Sequence, residues 1–315
     1  VEGVIPPERC EELRGQLWDE MREMTGGKCD RANLAEAGRF ISRELYASHG
    51  GLLQAPQNVG HFQTAWDVRQ HPGVVGAFAA LHGCAPEELT TSFDAINLHV
   101  RPEVTGRGWR PYLPDDKAWL HADQHPRDAD KITAYQGIVN LNPVDFYDAT
   151  TMFLEGSHKL FADYVKAYPP AKPSDWTRIT TKQFNHVPWF RDRGCERVWV
   201  KCAAGSLVLW DSRTIHQGIG PNREREQPND RMAIYVCQTP SAWMKPADRV
   251  RKQQIAKELR MTGHLAHKPK MFGKKPRTYG GEAFEAPPPK APRLTALGAR
   301  LAGFERPEEC PFYQA

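Results

Sequence analysis

Two short segments carry side chains able to hold a metal: Trp119-Leu120-His121-Ala122-Asp123-Gln124 and Trp210-Asp211-Ser212-Arg213-Thr214-Ile215-His216-Gln217-Gly218. Between them they offer two imidazoles, His121 and His216, and one carboxylate, Asp123. A divalent ion bound by such a set keeps up to three positions open on one side, where an anionic co-substrate and O₂ can be taken up. The spacing permits this. In a strand, residues i and i+2 share a face, so His121 and Asp123 can project together while Ala122 points away. H-x-D alone equally suits an exposed pair at a strand end, and a lone His216 would read as structural. His216 follows Gly205-Ser206-Leu207-Val208-Leu209-Trp210-Asp211, a turn entering a buried strand, and sits at a strand-turn junction where a side chain can face a cavity.

An ion with neutral imidazoles and a single carboxylate retains positive charge, which suits two-point binding of a keto acid. The far carboxylate of that acid needs its own cation. Arg231 opens the strand that follows the polar excursion 221–230, and its planar guanidinium can grip a carboxylate with two parallel hydrogen bonds. A surface Arg at a strand edge is the alternative there. Arg223 and Arg225, set among other charges, read as solvated.

The elements that must position these residues change character along the chain. The first third reads helical: Pro6-Pro7 begins a helix with Leu13, Leu17, Met21 and Met24 on one stripe, stopped by Thr25-Gly26-Gly27. Further helices are expected over about 33–47 and 72–82. From about residue 91 the apolar segments are short and strand-like, at 92–100, 132–141, 150–154, 197–201, 206–210 and 231–238, each bounded by Gly, Pro, Asn or Asp. With few helices between them, they predict a barrel or sandwich rather than a βαβ sheet. Helical inserts are expected at 159–167 and 181–192. The organisation read from this is one domain over 1–264, helical over residues 1–90 and with a β core over 91–240. A Pro- and Lys-rich extension, 265–315, is expected to pack on the same domain.

Composition excludes several classes. With 315 residues, 40% hydrophobic and 25% charged, the chain is an ordinary globular one. No run of about 18 apolar residues could span a bilayer. The start, Val1-Glu2-Gly3-Val4-Ile5-Pro6, lacks a signal-peptide pattern and reads as the middle of a strand-to-helix entry, so a cytoplasmic chain that naturally begins earlier is expected. Seven scattered cysteines without C-x-x-C argue against a disulfide framework or a structural zinc site. Segment 245–277 carries eleven Lys or Arg against two acids. It reads as a solvated helix near 250–261 and a basic loop, since no aromatic interleaving marks a nucleic-acid surface; a patch for an anionic partner is the other reading.

Over 92–239 the residues resemble the phytanoyl-CoA dioxygenase-like branch of the Fe(II)- and 2-oxoglutarate-dependent oxygenases. The resemblance runs through Trp119–Gln124, Asp148-Ala-Thr-Thr-Met-Phe-Leu-Glu-Gly156-Ser157-His158-Lys159, Gly205–His216 and Asn229-Asp230-Arg231-Met-Ala-Ile-Tyr235. Relatives usually read P-G-S-H where this chain has Glu155-Gly156-Ser157-His158. The resemblance implies an α+β fold with a mainly β core: a double-stranded β-helix (jelly-roll, cupin-like) with N-terminal and inserted helices packed outside. It implies Fe(II) on His121, Asp123 and His216, 2-oxoglutarate anchored by Arg231, and a structural role for His158. Related halogenases have a small residue at the position of Asp123, so this chain resembles a hydroxylase or another C–H oxidising enzyme.

With that site implied, Gln136 and Asn140 on one strand, Asn97 on another, and Thr151 become candidates for contact with co-substrate or substrate, and Gln57, Asn58, His61 and Gln63 for a lid. The activity implied is O₂-dependent oxidation of a C–H bond, by hydroxylation, desaturation or cyclisation, coupled to decarboxylation of 2-oxoglutarate to succinate. A small polar metabolite, such as a natural-product intermediate, is the expected substrate, with the protein a monomer or homodimer. Hydroxylation of a macromolecule through the 245–277 patch, including Lys268, Lys270, Lys274 and Lys275, and a non-catalytic cupin-like metal-binding protein are the alternatives.

Overall fold

The computed structural model describes residues 1–45, 52–53, 58–106, 119–170, 173–272, 284 and 286–314. Helix Pro7–Met24 follows the expected stripe, burying Cys10, Leu13, Leu17, Trp18, Met21 and Met24. Removing one such leucine side chain from water contributes about 2 kcal/mol, so this face docks the helix. Helix Leu34–Arg43 is shorter than expected, with residues 46 and 47 outside the described residues, and helix Pro72–His82 ends on Gly83 in the left-handed region as the sequence predicts.

The strands are β1 Leu52–Leu53, β2 Leu89–Thr91, β3 Ile96–His99, β4 His121–Ala122, β5 Tyr135–Asn140, β6 Thr150–Leu154, β7 Thr177–Arg178, β8 Arg197–Trp199, β9 Ser206–Asp211, β10 His216–Ile219, β11 Arg231–Val236 and β12 Gln238–Pro240. They form two five-stranded antiparallel sheets, β1-β3-β11-β5-β9 and β7-β4-β10-β6-β8, with β12 and β2 paired separately. Ile138, Trp210 and Ala233 of the first sheet pack with Phe153 of the second, so the sheets face each other. The large core lies on the other side of the first sheet, where Ile96, Leu98, Val139, Leu207, Met232 and Ile234 meet the N-terminal helices.

Strand period fixes what faces inward. Across the first sheet the register sets Ala233 opposite Asn97 and Asn140, Asn140 opposite Ser206, and Gln136 opposite Trp210. Alternate residues share a face, so the inter-sheet interior of this half is polar as well as aromatic. Gly205, at φ +78, turns the chain into β9 with the Ile5 carbonyl packed where a Cβ would sit, which a larger residue could not allow.

Two expectations are corrected. The insert 181–192 is helical only over Val187–Arg191, because Thr181 Oγ1 accepts from Gln183 N and Phe184 N and holds a turn ahead of it. The basic segment forms helix Pro246–Lys257 rather than 250–261, and it is not wholly solvated: Lys252 is fully buried over Phe93 and donates to the Thr91 and Ala266 carbonyls. Beyond it, helix Ala296–Leu301 and residues 294–313 pack on Trp66, Phe93 and Ile255. Among the described residues no helix is long and apolar enough to cross a membrane.

Candidate active site

His121, Asp123 and His216 converge between the sheets. β10 pairs with β4 so that His216 lies opposite His121, and Asp123 follows directly after β4. His121 Nε2 is 3.5 Å from Asp123 Oδ1 and His216 Nε2 is 3.4 Å from Asp123 Oδ2. One ligand atom from each lies within 4.8 Å of the others. Ligands about 2.1 Å from one ion at right angles would lie about 3 Å apart, so the triad needs only a small contraction to hold a metal.

The ring nitrogens are already assigned by their surroundings. His121 Nδ1 is 2.9 Å from the Trp119 carbonyl and His216 Nδ1 is 2.9 Å from the Thr214 carbonyl. A carbonyl only accepts, so both Nδ1 atoms carry the proton and both Nε2 lone pairs face the triad. Gln136 Nε2 donates to Asp123 Oδ2 at 2.9 Å and fixes the carboxylate. Burial opposes the charge of Asp123, but the His121, His264 and His216 rings in their protonated form outweigh it and hold its carboxyl well below the usual range, a role that passes to the cation when the two Nε2 lone pairs of the neutral triad rings hold a metal.

The motif residues between the ligands tie the site together. Ser157 donates to the Leu154 carbonyl at 2.6 Å and accepts from Ile215 N at 2.9 Å, locking the residue before His216. Gln217 Oε1 accepts from Trp119 N, and Gln124 Oε1 accepts from Ser212 Oγ at 2.6 Å, so each triad segment is bonded to the other. His158 sits one residue into helix Ser157–Ala167, outside the triad.

Arg231 is buried at the start of β11 and donates from Nη2 to Thr151 Oγ1 at 3.2 Å. Thr151 is two residues, roughly 7 Å, along β6 from Phe153, the cross-strand partner of His216, so Arg231 reaches from the first sheet to the strand that neighbours the triad. Its Nε and Nη1, both amide atoms of Asn97, and Trp210 Nε1 are buried without a well-formed hydrogen bond, and the Tyr235 hydroxyl is the polar group beside both Arg231 and Asn97. Burial pulls Arg231 below the usual guanidinium value. Unsatisfied donors around a desolvated cation are costly unless an anion completes them. Gln136 has one arm on Asp123 and its Oε1 free, and Asn140 bonds Cys202 Sγ. Arg225, expected to be solvated, is instead buried and consumed by Glu103, Asp148 and the Asn229 carbonyl, where it anchors the 221–230 excursion.

A cavity of about 370 Å³ opens over the triad. Among the described residues of the polar cluster expected as a lid, Asn58, His61 and Gln63, none lines it. Gln57 lies outside the described residues, Asn58 adopts φ 52 ahead of a helical turn, His61 is buried against Trp66 and Phe93 and bonded to the Arg260 carbonyl, and Gln63 bonds Asp67 and Arg293. Two other stretches wall the cavity instead: Asp175, Trp176 and Arg178 around β7, and Gly263 to Phe272 after the basic helix. His264 brings a third imidazole, with Nε2 3.1 Å from the Asp123 carbonyl, and Asp94 and Tyr235 lie on the wall. Burial pushes the Asp94 carboxyl up against the opposing field of His264. Apart from Tyr235, which closes the Arg231 motif, none of these residues belongs to a local motif; only register and the return of the C-terminal segment bring them to the triad.

No family model matches the chain. It is 28% identical over 215 residues to the Ava biosynthesis cluster protein O of Aspergillus versicolor, an alignment covering 67% of this chain and 65% of that protein. Among solved structures, a putative oxidoreductase from Salmonella typhimurium LT2 matches 96% of this chain and 79% of its own with a TM-score of 0.55 at 13% identity, a likeness of fold. The non-heme alpha ketoglutarate dependent carbocyclase SnoK from nogalamycin biosynthesis matches 76% of this chain and 78% of its own at 16% identity with a TM-score of 0.43.

Proposed function

We propose that the protein is a non-haem Fe(II)- and 2-oxoglutarate-dependent oxygenase of the phytanoyl-CoA dioxygenase-like kind, built on a double-stranded β-helix, that oxidises a C–H bond of a small metabolite. The observation that carries this reading is the convergence of two Nε2 atoms and one carboxylate whose outer atoms are already committed to carbonyls and to Gln136. Such a facial set suits Fe(II) and leaves room for further ligands.

When bound, the iron and its keto acid supply oxidising power from O₂, with succinate and CO₂ as co-products. The chain does the rest. His121, Asp123 and His216 hold the metal. Arg231, with Thr151, Asn97 and Tyr235 beside it, receives the far carboxylate of 2-oxoglutarate, completing guanidinium donors that otherwise lack a well-formed bond. Gln136 orients Asp123 through Nε2 and keeps Oε1 for a contact with co-substrate or substrate. The aromatic walls exclude water and present one C–H bond to the open side of the metal.

The test is direct. Purified protein reconstituted with Fe(II) should bind one metal per chain and release succinate from 2-oxoglutarate, with a mass-spectrometric metabolite screen showing a gain of one oxygen or a loss of two hydrogens. Absence of metal binding, or full turnover in His121→Ala, would overturn the reading.

A further inference from the structure

The cavity over the triad is unlike a pocket built for a small, fully polar molecule. Its wall is aromatic from the triad out to the mouth. Trp119 stacks on His121 with ring centres 4.3 Å apart and planes at 26°, Trp176 meets the same imidazole edge-on at 5.4 Å, and Trp210 is 5.3 Å from His216. Leu52, Ile138 and Phe272 add apolar surface. Aromatic walls of this kind favour a planar guest, because offset and edge contacts between rings add to the gain from burial alone.

The opening carries the opposite chemistry. Arg178, Lys268 and Lys270 line it, and all three are exposed. Arg178 is the direct cross-strand partner of His121, and paired residues share a face, so its side chain projects to the cavity side. Its guanidinium lies 5.0 Å over the Trp176 ring, and among the described residues no carboxylate pairs with it or with Lys268. Lys270 is 3.9 Å from Asp175, the one acid at the opening among the lining residues. The other two lining acids are deeper: Asp123 belongs to the triad, and Asp94 is buried beside His264.

We propose that the substrate joins a planar, unsaturated ring body to a carboxylate or a comparable anion. The ring enters between Trp119 and Trp176, and Arg178 with Lys268 holds the anion at the mouth, which leaves the inner edge of the ring facing the triad. The size of the cavity suits a fused bicyclic body with a short acidic arm. What is done to that molecule rests on the oxygenase reading; its recognition does not.

Calorimetric titration of the full chain without added metal separates the two, using 2-naphthoate, its uncharged analogue 2-naphthamide, and octanoate as a flexible anion. The wild type is expected to bind 2-naphthoate about tenfold more tightly than either of the others. Arg178→Gln should erase the preference for acid over amide while leaving 2-naphthamide unchanged, and Trp176→Leu should erase the preference for ring over chain. Both positions are exposed, so neither change endangers the fold. Equal binding of the three probes, no binding of any, or preferences that survive the two substitutions would each overturn the proposal, whereas a chain that shows them but releases no succinate would overturn only the oxygenase reading.

Discussion

The triad and the mouth of its cavity are a few ångströms apart and are built in opposite ways. At the triad the outer atoms of the candidate ligands are already bonded: both Nδ1 atoms rest on carbonyls, Asp123 on Gln136, Ser157 holds Ile215, and Gln217 and Gln124 bond one triad segment to the other. At the mouth, Trp176, Arg178, Lys268 and Lys270 are exposed and held by ring contacts or a single long ion pair. Preorganisation is concentrated where bond-making geometry matters, and adaptability where a guest must pass. Substitutions should therefore have large, metal-linked effects on one side and modest, substrate-linked effects on the other.

The sharpest way to break that contrast is at the ligands. His121→Ala, Asp123→Ala or His216→Ala should reduce bound iron, measured by atomic emission, and succinate release to background. Retention of metal by any of them would mean that the triad is not the centre. Arg231→Gln comes next. Removing one end of a buried charge-assisted pair costs about 3 kcal/mol, so KM for 2-oxoglutarate should rise roughly a hundredfold while iron binding stays close to wild type. A joint loss of iron would show that Arg231 supports the triad instead of receiving the co-substrate. Trp176→Leu, by contrast, should leave both iron affinity and KM for 2-oxoglutarate within about twofold of wild type, since surface changes away from built networks are small.

Ser157→Ala probes how the triad is held. The hydroxyl satisfies Leu154 O and Ile215 N inside the protein, so its loss should cost about 1–3 kcal/mol in urea unfolding and lower iron affinity about tenfold, through His216, without changing KM for 2-oxoglutarate. This residue also marks the limit of what sequence conveys. That His121, Asp123 and His216 come together was legible only from the whole family-like pattern, since neither H-x-D nor His216 marks a site alone, whereas helix Pro7–Met24 was legible because its stripe repeats over five turns. Ser157 was visible only within a motif, with no sign that it bonds to Ile215. Strands β1, β4 and β7 span two residues each, too short for a period of two to register. Trp176, Arg178 and His264 were invisible for a related reason: pairing of β7 with β4, and the return of the chain after the basic helix, place them, and neither leaves a local trace.

The smallest expected effect concerns how the mouth segment is fastened. Lys252 is buried without a carboxylate partner, donates to the Ala266 carbonyl just before the mouth lysines, and is pulled down by burial from 10.5 to about 7. The folded protein therefore releases this proton near neutrality, while the unfolded chain keeps it until the ordinary lysine range. Between those values the unfolded state binds more protons, so raising pH stabilises the fold, and below about 7 the full penalty of a buried charge applies. The urea midpoint of the wild type should climb from pH 7 to pH 9, and Lys252→Met, which keeps the apolar stem against Phe93, should flatten that climb. The substitution also frees two carbonyls, so its value at pH 7 is a balance of opposite terms; the slope is the cleaner readout. Iron binding should not change, because no bond of Lys252 reaches the triad. An unaltered slope would mean that Lys252 is charged in the fold, and that the mouth segment is pinned by a cation whose penalty the carbonyls and the Phe93 ring already offset.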